Sequence, residues 1–428
     1  MAFRLPTKRP RTVPTGLLII AALVLLSAAV AVPTVRDAAT LGPVTEVTLR
    51  RPTAYLLLAP VSDVLDTVSL MSARQHIAFV VTIVLAYLVW WWALGRAALR
   101  DALPRRRALR EIARIGVGLV LLLALYTTVA IIPRPMAALE TGNDILIADF
   151  HTHTRFSHDG RPDWTPEDVR AWHRDAGFDV AYITDHRTFE GARDAWANNP
   201  SRGGDGTILL PGIEVSWRGE HVNVLDADRM YRGILTENLR DIDEQALNLA
   251  STLGGAEPVL IETIPGDLSK LSPAHGPGTA GVRAIEIVDG APRGLGQVRA
   301  EHARIVQLAD SFNLALVAGS DSHGWGHTAS GWTLIFLPQW RAVAPERLSN
   351  AISTVLRQGG RRSTRVVERY VANTESGIAL PFSAPLVAWG MLRALSTDER
   401  IVWLAWCLAI YLVWRLVGTR RRTAPLAT

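Results

Sequence analysis

Three uncharged apolar stretches limit what this chain of 428 residues can fold into. They cover Gly16 to Val32, Ile77 to Gly95 and Ile115 to Ile132, and none shows the polar face that a surface helix repeats every 3.6 residues. Because a bilayer core requires about 20 apolar residues, each stretch predicts a membrane span. We predict a fourth span at Ile401 to Gly418, where Arg415 lies close enough to the end to reach the headgroups.

Basic residues are concentrated beside these stretches, in segments 1–15, 96–114 and 415–428, which together carry a net charge of +13 in a chain whose total is +5. The rest is net −8, which disfavours a basic surface for nucleic acid. Since Lys and Arg are retained on the cytoplasmic side, both termini and segment 96–114 are predicted inside the cell and residues 133–375 outside. Reading the first stretch as a cleaved signal peptide leaves this orientation unchanged.

The predicted organisation is therefore a membrane region 1–132 with three spans, an extracytoplasmic domain 133–375, and a segment 376–428 with the last span and a basic tail. Ile378 to Leu392 contains two prolines and is short for a span, so we expect it at the membrane interface. The single cysteine, Cys407, lies in the last predicted span and excludes an intrachain disulfide.

Residues 144–375 alternate strand-like and helix-like segments, which predicts an α/β fold with a parallel sheet or barrel. Thr165 followed by Pro166 has the pattern of a helix start, and Gly177 that of a helix end.

Side chains that bind metals follow five of the predicted strands. Imidazoles and carboxylates together suit zinc, manganese or iron, and a carboxylate can bridge two such ions. Glu214 is the most informative of them, because an ionised carboxylate is costly to bury without a partner or a metal. The candidates are His151, His153, Asp159, His186, Glu214, His221, Asp321 and His323.

In order along the chain, these residues lie in DFHTHTRFSHDG (149–160), ITDH (183–186), GIEVS (212–216), HVNVL (221–225) and GSDSHG (319–324). The series resembles the polymerase and histidinol phosphatase (PHP) family of metal-dependent phosphoesterases, over roughly residues 145–365. The resemblance implies a distorted seven-stranded β/α barrel that holds up to three ions at its strand ends, here flanked by transmembrane helices.

The resemblance also implies three ligand sets. One ion is expected between His151, His153, Glu214 and Asp321; Glu214 would bridge to a second ion held by His221; Asp159, His186 and His323 would hold a third. Asp159, Glu214 and Asp321 are the expected catalytic carboxylates. Arg155 and Arg187, each beside a motif, are candidate partners for phosphate oxygens, with a solvated surface charge as the alternative for both.

One position departs from the family pattern, since Ile264 stands where a second histidine ligand of the bridged ion is usual. Three alternatives remain open: weak binding of that ion, substitution by Glu262 or His275, or a site with fewer ions. His173 and His302 are expected on helix surfaces, and His158 and His327 beside the site.

These features predict a membrane-anchored phosphoesterase that uses two or three divalent ions (Mn, Zn or Fe) to activate water against a phosphorylated small molecule. The alternatives are a nuclease, which the charge distribution disfavours, and a metal-sensing domain with little or no activity, which Ile264 favours. The sequence contains no GxSxG motif, P-loop or dinucleotide-binding motif.

Overall fold

The computed structural model describes most of the chain, and all structural statements below refer to the described residues. The ranges are 14–98, 105–217, 220–225, 259–263, 282–326, 328–375 and 377–423.

Twelve strands are present in the described residues, and ten of them form one sheet in the order β1-β12-β11-β4-β5-β6-β7-β8-β9-β10, while β2 and β3 pair separately. The predicted α/β class is confirmed. The strands are β1 (Val35–Asp37), β2 (Val47–Arg50), β3 (Ala138–Thr141), β4 (Ile145–Thr152), β5 (Val180–Ile183), β6 (Ile208–Trp217), β7 (Glu220–Leu225), β8 (Leu260–Glu262), β9 (Val282–Asp289), β10 (Ala315–Gly319), β11 (Gly331–Phe336) and β12 (Arg365–Arg369).

The seven strands from β4 to β10 curl until the two outer ones meet. Asp321 N donates to His151 O at 2.8 Å, and His153 N donates to Ser322 O at 3.0 Å. Pairing is parallel from β4 to β6 and from β8 to β10, and antiparallel across β7. The curled sheet is consistent with the expected barrel, and the backbone after β10 lies directly beside the end of β4.

Eleven helices lie in the described residues. They are α1 (Thr15–Ala28), α2 (Thr53–Leu57), α3 (Ala59–Ser69), α4 (Ala73–Ala98), α5 (Arg105–Ile131), α6 (Pro166–Ala176), α7 (Glu190–Ala197), α8 (Pro292–Phe312), α9 (Pro345–Gly359), α10 (Ser383–Ala394) and α11 (Thr397–Thr423). The expected boundaries of α6 are confirmed, because Thr165 forms a capping box with Asp168 and Gly177 ends the helix at φ 86°.

Alternate residues of β4 enter two cores, as the two-residue period of a strand requires. Ile147 packs with Trp172 of α6, while Leu146 and Phe150 pack with Ile352 of α9. These apolar contacts fix the sheet, and most of the candidate site residues lie at or beyond the strand ends.

Two helices are long and apolar enough to cross a membrane, judged by length and composition alone: the segments Ala73–Trp90 of α4 and Arg110–Ile131 of α5, each with 6% of its residues buried. The predicted first span, 16–32, needs correction. Helix α1 ends at Ala28 after 14 residues, and Val32 N already donates to Arg393 O. A helix of that length extends only about 21 Å, less than a hydrocarbon core of about 30 Å.

The predicted fourth span lies within α11. That helix is not among the described helices that meet both criteria, and its side chains beyond residue 416 lie outside the described part. Ile378 to Leu392 forms a 3-10 turn and most of α10. Before the predicted domain boundary at residue 132, β1 already pairs with β12 at the sheet edge.

Buried charges connect the helices to the sheet. Asp66 of α3 lies 2.6 Å from Arg369 at the end of β12 and 3.3 Å from Arg134 after α5. Tyr55 OH donates to Asp66 Oδ2 at 2.9 Å, and Trp403 Nε1 donates to Asp63 Oδ2 at 2.8 Å. We name Tyr55, Asp63, Asp66, Arg134 and Arg369 the junction cluster, since they join α2, α3, the loop after α5 and β12.

Candidate metal centre

The meeting of β4 and β10 gathers the predicted ligands of five strand ends at one place. Four overlapping groups of three ligands lie there, with the ligand atoms of each group within 4.8 Å of one another. We name the residues His151, His153, Asp159, His186, Glu214, His221, Asp321 and His323 the metal cluster.

Four ligand atoms surround one point at the centre of the metal cluster. His151 Nε2 lies 3.0 Å from His153 Nε2 and 3.0 Å from Glu214 Oε2. His153 Nε2 lies 3.2 Å from Glu214 Oε2, and Asp321 Oδ1 lies 3.5 and 3.3 Å from the two histidine nitrogens. Ligands held at about 2.0–2.1 Å from a tetrahedral zinc are separated by about 3.3 Å. The four atoms therefore have the mutual spacing that a bound ion requires.

The carboxylate of Glu214 points in two directions. Its Oε2 faces His151 and His153 and lies 3.4 Å from His186 Nδ1, while its Oε1 lies 2.6 Å from His221 Nδ1. The side chain is buried, whereas His221 is half exposed. Two oxygens with separate histidine partners are the arrangement that a bridging carboxylate has between two ions.

Asp159 organises the third group. Its Oδ2 lies 3.4 Å from His186 Nε2 and 3.1 Å from His323 Nε2, and Ser157 Oγ donates to its Oδ1 at 2.7 Å. The two histidines come from different strand ends, after β5 and after β10. The loop after β4 thus supplies one carboxylate that brings both rings together.

The acids and rings of the cluster shift one another's pKa values. Burial alone would lower the pKa of His151 and His153. The charges of Glu286, Glu214 and Asp321 raise the pKa of His151 well above its usual range, and hydrogen bonds to Asp321 and Glu214 raise that of His153 to about 9. Burial would raise the pKa of Glu214, but His151 and His153 hold it well below its usual range. The carboxylates therefore favour protonation of His151 and His153.

Two buried acids that were not predicted from the sequence, Glu286 and Asp149, support His151. Glu286 of β9 places Oε1 3.0 Å from His151 Nδ1, and burial raises its pKa to about 7. Such a bond fixes the ring tautomer and leaves Nε2 free to bind a metal. Gly319 allows this approach, since a Cβ there would lie 2.6 Å from Glu286 Oε1. The burial argument applied to Glu214 applies equally to Glu286 and would have found it.

The expected surface position of His173 is wrong. The ring is fully buried, and its Nε2 lies 2.7 Å from Asp149 Oδ2. The other oxygen of Asp149 accepts from His151 N at 3.1 Å and from Ser320 N at 2.9 Å, so Asp149 fixes both ligand-bearing strand ends. His302 also differs from expectation, since it is half-buried and hydrogen-bonds to Ala38 O.

The remaining candidates lie at the rim or outside the described residues. Arg187 is exposed at φ 57°, with its backbone N bonded to Glu214 O at 3.1 Å. Arg155 is exposed over the ring of Phe156, and His158 is exposed beside Asp159. Glu262 is buried in β8 opposite Val222, outside the four groups of closely spaced ligands. Ile264, His275 and His327 are not described, so the alternatives at position 264 stay open.

A cavity of about 530 Å³ opens from the metal cluster towards the apolar helices. Asp159, Asp321 and His323 line one side of it. The other side is formed by His76 of α4 and by α5 residues that include Val129. Neither Arg155 nor Arg187 lines this cavity. Volumes of about 300–1,000 Å³ are usual for small-molecule sites, so the cavity can hold a substrate beside the cluster.

No protein-family model and no curated protein matches the chain. Similar solved structures include a two-domain Bacteroides vulgatus protein containing a PHP-like metal-dependent phosphoesterase (19% identity, TM-score 0.33, 53% of this chain). This chain covers 65% of that protein, less than two thirds of its length. Another is a metal-dependent phosphoesterase from Bifidobacterium adolescentis, with 18% identity and a TM-score of 0.29; the match covers 41% of this chain and 87% of that one. A third is a lesion-specific endonuclease from Pyrococcus furiosus, with 13% identity and a TM-score of 0.30; the match covers 49% of this chain and 56% of that one. Because these identities and TM-scores are low, the proposals below rest on the side-chain geometry of this chain and not on the similar structures.

Proposed function

We propose that the metal cluster holds two or three divalent ions (Mn, Zn or Fe) and that the chain hydrolyses a phosphoester. The observation that carries this proposal is the spacing of 3.0–3.5 Å among the ligand atoms of His151, His153, Glu214 and Asp321. His221 would complete a second site through Glu214. Asp159 would form a third with the rings of His186 and His323.

Bound ions of this kind lower the pKa of a coordinated water and offset the charge that develops on a phosphate. The chain's own contribution is to hold the ligands. Glu286 keeps the proton of His151 on Nδ1, and Asp149 fixes the backbone on which His151 is carried. Glu214 supplies one negative charge to two sites, and Asp159 and Asp321 supply one each.

Arg187 is proposed as a partner for a phosphate oxygen, because its backbone bond to Glu214 places it at the rim of the bridged site. Arg155 is proposed in the same role from the loop after β4. The substrate is then a phosphorylated small molecule.

The test uses full-length protein purified in detergent. Metal content is measured by mass spectrometry, and turnover of p-nitrophenyl phosphate and of bis(p-nitrophenyl) phosphate is measured with added Mn²⁺. We expect bound metal and turnover in the wild type, with both reduced in Asp321→Asn. Asp310→Asn is the matched control, because Asp310 is an exposed acid paired with Arg361.

Metal binding without turnover of either ester would contradict the hydrolase and favour the metal-sensing alternative. Cleavage of single-stranded DNA in place of both esters would favour the nuclease.

We further propose that α4 and α5 anchor the chain in a membrane. Leu119, Leu121 and Leu123 of α5 are 61–68% exposed, which is unfavourable in water. The two helices lie side by side and antiparallel, since His76 contacts Tyr126 at one end and Trp90 lies over Arg114 towards the other. The 26 residues of α4 extend about 39 Å, enough to separate the arginine-rich segment 96–114 from the sheet by a bilayer.

Membrane fractionation after an alkaline carbonate wash tests the anchor, with the protein expected in the pellet. Release into the supernatant would contradict it. The proposed orientation predicts that an alkaline phosphatase fusion near residue 250 is active, and activity of a cytoplasmic reporter at the same site would contradict that.

A further inference from the structure

The cavity beside the metal cluster has two chemically different walls. On the cluster side, Asp159, Asp321 and His323 present charged or polar atoms. On the opposite side, Val129 and Ala130 of α5 present methyl groups. A substrate that fills the whole cavity therefore needs an anionic part and an apolar part.

The apolar wall is fixed to the loop that bears two of the metal ligands. Gly326 N donates to Ala130 O at 3.0 Å, and Arg134 Nη1 donates to Val129 O at 3.2 Å. The end of α5 is therefore held in position relative to Asp321 and His323, and the apolar wall is a built part of the site.

Two of the polar atoms that α4 and α5 supply to this wall are bonded to each other. His76 Nδ1 lies 3.0 Å from Tyr126 OH. A sugar or another polyhydroxylated group would lose water at Val129 and Ala130 without gaining hydrogen bonds there, which is unfavourable. A hydrocarbon chain would be stabilised by the same contacts.

The position of the cavity also matches an amphiphile. It lies at the ends of α4 and α5 that adjoin the sheet, and these helices have apolar outer surfaces. Trp325, 52% exposed, lines the cavity and lies beside Arg161. Tryptophan is enriched at the headgroup level of membranes.

We propose that the substrate is a membrane lipid phosphoester, whose phosphate binds at the metal cluster and whose hydrocarbon chain lies against the ends of α4 and α5. This inference rests on the proposed phosphoesterase function. The reaction is a hydrolysis in which the oxygen of one water bonds to phosphorus and the ester P–O bond breaks; one proton of that water ends on the leaving alkoxide and the other stays with the phosphate. Water is the only co-reactant.

The first test compares butyl phosphate with dodecyl phosphate as substrates of the Mn²⁺-loaded full chain in detergent. We expect kcat/KM for the dodecyl ester to be higher by about 100-fold, because each buried CH₂ contributes about a fourfold gain and burial of roughly three to four of the additional CH₂ groups gives this ratio. Val129→Trp and Ala130→Leu, which fill the apolar part, should reduce this ratio at least tenfold. Leu123→Trp, on the exposed face of α5, should leave the ratio unchanged. Partition of the esters into detergent micelles is the same for all variants, so it does not affect the comparison of their kcat/KM ratios.

The second test measures binding without turnover. A dodecylphosphonate with a terminal diazirine should label α4 or α5 in the peptides that contain His76 or Tyr126, and Val129→Trp should abolish the label. Metal content equal to wild type shows that each variant is folded.

The outcomes separate the two proposals. Equal kcat/KM for both esters, with label outside α4 and α5, would overturn the lipid substrate while leaving the phosphoesterase in place. Metal-loaded protein that hydrolyses neither these esters nor the nitrophenyl esters would overturn both.

Discussion

The metal cluster and the junction cluster are both groups of buried charges, but they differ in their cations. Asp66 lies between Arg134 and Arg369, so guanidinium groups balance its charge permanently. Glu214 is equally buried, yet the side-chain partners that the structure gives it are all histidines. The junction cluster contains its own cations, whereas in the metal cluster the proposed ions would supply the positive charge.

The pKa shifts follow the same division. Burial would raise the pKa of Asp66, but Arg369 and Arg134 hold it below its usual range. In the metal cluster the carboxylates instead raise the pKa of the two buried histidines, so that positive charge on these rings depends on pH. Asp66, paired with two arginines, has the environment of a structural ion pair, whereas Glu214, paired with four histidines, has that of the metal ligand proposed above.

The largest expected effect is at the carboxylate shared between two proposed sites. Glu214→Gln should lower kcat/KM for phosphoesters roughly 1,000-fold or more and remove two ions, because both sites lose a charged ligand. Asp321→Asn should remove one. Metal analysis and steady-state kinetics check this, with Glu301→Gln, an exposed glutamate on α8, as the control. Loss of the same number of ions in both variants would show that Glu214 does not bridge.

The junction cluster should respond in stability and not in metal content. Asp66→Asn leaves Arg369 and Arg134 buried without their anion, which should lower the free energy of unfolding by about 3–5 kcal/mol. The exposed Asp310→Asn should cost about 0–1 kcal/mol. Denaturant titration in detergent checks both values. Loss of bound metal from the folded Asp66→Asn variant would show that the junction cluster also affects metal binding.

Metal affinity should depend on pH in one direction. Below a pKa of about 9 the ring of His153 in the metal-free protein carries a proton that a metal must displace, so affinity rises with pH. Displacement of this one proton predicts about a 100-fold gain between pH 6 and 8. Calorimetry in buffers of different ionisation enthalpy measures both the affinity and the released protons. A pH-independent affinity would show that His153 is already neutral without metal.

The smallest effect on metal affinity is expected at Glu286, whose carboxylate contacts His151 Nδ1. Glu286→Gln retains an oxygen near His151 Nδ1 but loses the charge, so metal affinity should fall about tenfold. The metal-free protein should remain as stable as the wild type or become more stable, since a buried acid is removed. Competition with a chromogenic chelator measures the affinity. An unchanged metal affinity would show that Glu286 contributes to packing and not to metal binding.

The grouping of the candidate ligands was predictable from the sequence because they follow strand ends, where parallel strands place their side chains together. Their geometry was not, since it depends on the contact of β10 with β4. His173 was misplaced even though the residues buried on α6, Val169, Trp172, His173 and Ala176, follow the three- and four-residue spacing of a helix face. Applying that spacing would have assigned the ring to the core.

The junction cluster could not be predicted, because Tyr55 and Arg369 are 314 residues apart. No local pattern in the sequence connects them. The length of α1 was also beyond prediction. Apolar residues continue from Ala29 to Val32, and only the backbone bond from Val32 to Arg393 shows that the chain leaves the helix there.

The hydrogen bond from Asp321 to His151 sets an order of events during folding. Asp321 follows the last strand of the curled seven and His151 lies in the first, 170 positions earlier in the chain. A nascent chain that ends before residue 321 lacks the site for the first ion, whatever else has folded. If the metal cluster binds ions as proposed, capture of the first ion is a late step in maturation, and a chain that has captured it has already closed its sheet.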